Sequence, residues 1–150
     1  LASKVVTRPD IARYLVDSGQ VNSIKKAFDK HLGTGKRGDV KQMWPDMSEA
    51  VAQIAAAGGI AVFAHPEAYS ITRTKLRRLL DSFVEAGGKA IELPHEQNDF
   101  GHYIARLAAD YSLAVSVGSD FHSPQQAWRR LGKVPAIPSS LTPVWELMSR

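Results

Sequence analysis

The chain has 150 residues, 44% of them hydrophobic and 23% charged, which fits one globular domain able to bury a core of its own. Cysteine is absent, which excludes disulfide staples, thiolate catalysis and Cys-ligated zinc and suits a reducing cytoplasm, the compartment expected for it. No apolar run approaches the roughly 20 residues that cross a bilayer, so no membrane partner is expected, and the net charge of +4, with an isoelectric point near 9.5, suits phosphate-bearing ligands without demanding them.

Residues 1–9 read as a short apolar strand or connector ending in Arg8-Pro9. Pro9 and Asp10 open a helix, Pro in the first turn and an acid at the positive end of the dipole. Ile11, Tyr14 and Leu15 share one face of it, and Gly19 stops it. Asn22 or Ser23 caps a second helix carrying Ile24, Ala27, Phe28 and Leu32 at helical spacing. Gly33-Thr-Gly-Lys-Arg-Gly38 is a basic loop. It lacks the P-loop spacing and no strand precedes it, which excludes a triphosphate cradle and leaves a solvated turn or a substrate-facing loop. Met43-Trp-Pro is extended. Residues 1–46 are thus expected as a small helical insertion with its connector, ahead of a βα series over 47–150.

Asp46 or Ser48 caps a helix running to Ala57, with Ala50, Val51, Ile54 and Ala55 as its buried stripe. Gly58-Gly59 ends it, and the apolar strand Ile60-Ala-Val-Phe-Ala-His65 follows, stopped by Pro66. The next helix buries Leu76, Leu79, Leu80, Phe83 and Val84, while Arg73, Lys75, Arg77 and Arg78 form a solvated face. Gly87-Gly88 and Lys89-Ala-Ile-Glu-Leu93 then repeat the device of helix, glycine pair and strand at a period of about one βα unit. A helix with Tyr103, Ile104, Leu107 and Ala108 leads to the strand beginning at Leu113. Strands alternating with helices predict an α/β fold with a parallel sheet, and right-handed crossovers bring the strand ends to one rim.

That rim carries the chemistry. One strand ends in Ala64-His65-Pro66, another in Gly118-Ser-Asp-Phe-His122. If the second strand stays extended through Phe121, Asp120 and His122 point to the same side. Neutral imidazoles and a carboxylate suit zinc, iron or manganese, and three such ligands leave positions open for water and substrate. Glu92, near the end of the middle strand, is a candidate to ligate metal, to orient a ligating His or to pair with Arg. On the rim loops, Arg73 is a candidate phosphate clamp, Tyr69 a stacking surface for a base and His95 a phosphate contact. Ser70, Ser119 and Ser123 have no local acid–base partner, so nucleophilic catalysis is not expected.

The Ala-His-Pro and Gly-Ser-Asp-Phe-His motifs, in this order and at this separation, resemble the polymerase-and-histidinol-phosphatase (PHP) metal-dependent phosphoesterases. Thr7-Arg-Pro-Asp10 through Val16, the Gly33–Gly38 loop, Ala90-Ile-Glu92, Gly132-Lys-Val-Pro135 and Pro143-Val-Trp145 are similar to the branch of RNase AM and the nucleoside 3′,5′-bisphosphate phosphatases. The resemblance implies that the chain is the C-terminal part of a distorted (β/α)7 barrel. It implies a divalent metal (Mn, Fe or Zn) held by His65, Asp120 and His122, with Asp10 standing where the family usually has His. Nucleotides or short RNA are the implied substrates. The family's opening His-x-His has no counterpart among the five histidines, His31, His65, His95, His102 and His122. Three or four strands cannot close a barrel, so the chain is expected either to dimerise or to join a missing N-terminal half. The rival expectation is a non-catalytic binding or scaffold fragment with a vestigial metal site.

Overall fold

Helix ends that share one hydrogen-bonding pattern deliver the strands of this chain. The computed structural model describes residues 5–39, 44–96, 98–121, 124 and 130–148. Helices α1 (Arg8–Asp17), α3 (Met47–Ala56), α4 (Arg73–Glu85) and α5 (Asp99–Asp110) all close with paired backbone bonds that bend the chain out of the helix. In α4 the Gly87 N–H donates to Val84 at 2.9 Å and the Gly88 N–H to Phe83 at 2.9 Å. This closure needs a left-handed residue just past the helix, and Gly58 (φ 77°) and Gly87 (φ 95°) supply it. The second glycine of the later pair has its own reason, because a Cβ on Gly88 would sit 2.2 Å from the Phe83 ring. In α5 the left-handed place falls to Ser112 (φ 53°).

The chain divides into two compact units, Leu1–Trp44 and Pro45–Arg150. In the first, α1 is followed by α2 (Ile24–Ala27), capped by the Ser23 hydroxyl, and by a π-helical turn over Phe28–Leu32. Ala12, Val21, Ala27 and Leu32 form its core, with Leu15, Val16 and Phe28 against them. The expected face of Ile11, Tyr14 and Leu15 is corrected here. Ile11 and Tyr14 are exposed, as is Ile24, because the fully buried contacts are made by Ala12 and Ala27, small enough to let short helices approach closely. The Gly33–Gly38 loop is closed by Gly35 N–H to the Asp39 carboxylate at 2.7 Å and Gly38 N–H to His31 at 2.8 Å.

The second unit holds three short parallel strands, β1 (Val62–Phe63), β2 (Ala90–Glu92) and β3 (Ala114–Ser116), in the order β1-β2-β3. Phe63 pairs with Ile91 and Ile91 with Val115, so these apolar residues share one face, as do Ala61, Leu93 and Leu113 by alternation. That face meets Leu76, Leu80 and Phe83 of α4 and Tyr103, Ile104, Leu107 and Ala108 of α5 in one core. The α5 stripe is the one its spacing predicts. Two other stripes differ. Leu79 of α4 is partly exposed, and of α3 only Val51 is buried, with Ile54 and Ala55 in solvent. Val51 is buried in the core and Met47 packs against it, where α3 meets α4.

The result is the expected mixed α/β unit with a small parallel sheet; three strands do not close a barrel. Among the described residues no helix is long and apolar enough to cross a membrane.

Candidate active site

Because the three strands run parallel, their C-terminal ends share a rim. On the rim β1 leads to His65, β2 ends at Glu92 and β3 leads through Val117 and Gly118 to Asp120.

His65 is held in an unusual backbone conformation. Its φ of 31° and ψ of 60° are left-handed, and the following Pro66 is buried. A residue before proline is normally extended, and a left-handed non-glycine costs on the order of 1–3 kcal/mol. The imidazole is exposed. Its ring lies 6.1 Å from that of Tyr69, which stands edge-on to Phe63 at 5.6 Å.

Glu92 joins the strand ends. Its Oε2 accepts the backbone N–H of His65 at 2.8 Å. Its Oε1 lies against Gly118, where an added Cβ would come within 2.9 Å of that oxygen. A side chain at the motif glycine would press on that carboxylate and displace it. The same carboxylate acts on Tyr69. Loss of solvent, and then the negative charge of Glu92, hold the phenol above its ordinary pKa.

Asp120 is exposed and also left-handed, with φ 50°. The expectation of an extended chain through Phe121 is overturned. The ladder stops at the Glu92–Ser116 pair, and four residues on the backbone turns left-handed at Asp120. The alternation that set Asp120 and His122 on one side therefore does not apply. His122 itself lies outside the described residues. Described non-glycine residues with positive φ are His65, Ser112 and Asp120, so two of the three sit at this rim.

The remaining candidates are dispersed. Arg73 opens α4 rather than lying on a loop, and its guanidinium stacks 4.7 Å from the centre of the Tyr103 ring. His95 is half-buried after β2, and its Nδ1 is buried with no hydrogen-bond partner. Asp10, in the first unit, accepts the Thr7 N–H at 3.0 Å and an Arg13 guanidinium N–H at 2.7 Å, and is bonded to the Thr7 hydroxyl as well. Among the described residues no group of three His, Cys, Asp or Glu side chains could hold a metal ion. The donor types on the rim, imidazole and carboxylate, do fit a divalent cation in kind.

Relatives of known name sharpen this. Over 148 residues the chain is 43% identical to the 5′-3′ exoribonuclease of Haemophilus influenzae, matching 97% of this chain and 54% of that protein. Over 151 residues it is 40% identical to the 3′,5′-nucleoside bisphosphate phosphatase of Chromobacterium violaceum, matching 98% of this chain and 53% of the relative. The chain is a homologue of the PHP-type phosphoesterases. It spans about half the length of the curated relatives it matches. Among solved structures, a sulfate-bound, metal-free amidohydrolase from Chromobacterium violaceum matches with a TM-score of 0.78 at 38% identity, over 96% of this chain and 50% of the other. A Bifidobacterium adolescentis protein assigned as a metal-dependent phosphoesterase matches with a TM-score of 0.71 at 25% identity, again over 96% and 50%. No family model matches the chain.

Proposed function

We propose that this PHP homologue forms the C-terminal part of a metal-dependent phosphoesterase acting on nucleotides or short RNA. The observation that carries the reading is the rim itself, where two backbone-strained strand ends bearing His65 and Asp120 flank the Glu92 carboxylate. The activities named for the relatives, one on RNA and one on nucleoside bisphosphates, supply the substrate class.

In this reading His65, Asp120 and His122 would hold one or more divalent cations (Mn, Fe or Zn). When bound, the cation supplies a water acidic enough to attack phosphorus near neutral pH and takes up charge on the phosphoryl oxygens. Arg73 would neutralise the developing negative charge, His95 would contact the phosphate, and Tyr69 would stack on a base.

The test is phosphate release from adenosine 3′,5′-bisphosphate, and mononucleotide release from short RNA, by the natural polypeptide carrying this chain in the presence of Mn2+. The reading expects activity that EDTA removes and that Asp120→Ala abolishes. Activity untouched by Asp120→Ala overturns it. The rival, a binding fragment with a vestigial site, expects partner binding that survives Asp120→Ala.

A further inference from the structure

We infer that Glu92 is a positioning residue, whose carboxylate locks the β1 and β3 ends into the geometry that presents His65 and Asp120, rather than a ligand to the cation. The inference deepens the proposed reading and rests on it.

The argument begins with strain. His65 sits left-handed directly before a proline, against both of its local preferences. Its neighbour Pro66 has no N–H to stabilise that turn. Beside the local Ala68 N–H to His65 carbonyl bond at 2.9 Å, a second bond reaches in from another strand, as Glu92 Oε2 accepts the His65 N–H at 2.8 Å. A charged acceptor makes this stronger than an ordinary backbone bond. The second oxygen faces the other strand end. Oε1 lies against Gly118, two residues before the left-handed Asp120, where an added Cβ would come within 2.9 Å and displace it. One side chain thus reaches both the β1 and β3 ends from the strand between them. Half-buried on a paired strand, Glu92 has little freedom to swing away and ligate. Partners that orient ligands in this way typically contribute about 10–100-fold in metal affinity.

The experiment is 15N-resolved NMR of the chain, as wild type, Glu92→Gln, Glu92→Ala and Gly118→Ala, with and without Mn2+. The readouts are hydrogen exchange of the His65 amide and the Mn2+ concentration that half-broadens the His65 and Asp120 amide signals. Glu92→Gln keeps an oxygen acceptor without the charge, and is expected to hold both readouts within about threefold. Glu92→Ala should speed His65 exchange and raise the Mn2+ midpoint by about 10-fold or more. Gly118→Ala leaves the carboxylate in place but drives a methyl onto Oε1, so it should shift His65 exchange in the same direction. It covers the case in which Glu92→Ala fails to fold.

Unchanged His65 exchange in Glu92→Ala, or in Gly118→Ala, overturns the inference. So does Glu92→Gln losing Mn2+ as fully as Glu92→Ala, which would mark the charge itself as the ligand. Absence of Mn2+ broadening in the wild type overturns the metal reading instead, and the exchange data then still decide whether Glu92 holds His65.

Discussion

The His65 N–H, at the end of one strand, donates to the Glu92 carboxylate at the end of the next, 27 residues on in the sequence, over 2.8 Å. That bond makes the rim a built feature rather than three adjacent loop starts. It also sets the electrostatics felt by the aromatic ring beside it.

Tyr69 reports on that field. Loss of solvent, then the Glu92 charge, raise its pKa. A raised pKa means that the folded state favours the neutral phenol. The associated stability is therefore full below the ordinary tyrosine range and is lost as pH rises through it. Ultraviolet titration of the phenolate signal should show Tyr69 ionising above an unperturbed tyrosine. Glu92→Gln should bring it part of the way down, leaving the larger, solvent-exclusion share in place. An unchanged Tyr69 titration in Glu92→Gln would contradict the placement of that charge.

Ser112 pays for a shape that glycine adopts freely. It occupies the left-handed place after α5 that Gly58 and Gly87 fill after α3 and α4. A left-handed L-residue costs about 1–2 kcal/mol, partly offset by the flexibility that glycine adds to the unfolded chain. Ser112→Gly should therefore stabilise the second unit by about 0.5–1 kcal/mol, read as a rise of about 2 °C in Tm. A fall in Tm would show that the serine makes a compensating contact.

Leu107 tests the core. It is fully buried between α5 and the sheet. Leu107→Ala should cost about 2–5 kcal/mol, seen as a lower urea midpoint at an unchanged slope. A loss below about 1 kcal/mol would mean that the site collapses around the cavity.

What the sequence made readable follows from periodicity. Tyr103, Ile104, Leu107 and Ala108 carry a full helical stripe, and all four are buried where that stripe predicts. The repeated glycine pairs announced the βα period because each pair has a backbone reason, the first glycine for φ and the second for close approach. Faces with competing residues were less readable. In α1 the pattern could not rank Ile11 and Tyr14 against Ala12, since small size at a helix crossing outweighed hydrophobicity. At α3 the stripe was read correctly as apolar, but of the expected four only Val51 is buried in the core. At the site, the residue types were visible at the strand ends, while their arrangement was not. The left-handed turns at His65 and Asp120 and the 2.8 Å bond between His65 and Glu92 arise from contacts between distant segments that no local spacing encodes.

The most direct test of the proposed metal site is elemental analysis of the purified chain beside its Asp120→Ala variant. The account predicts near-stoichiometric Mn, Fe or Zn in the wild-type chain and its loss in the variant. Metal no higher in the wild type than in Asp120→Ala would contradict it.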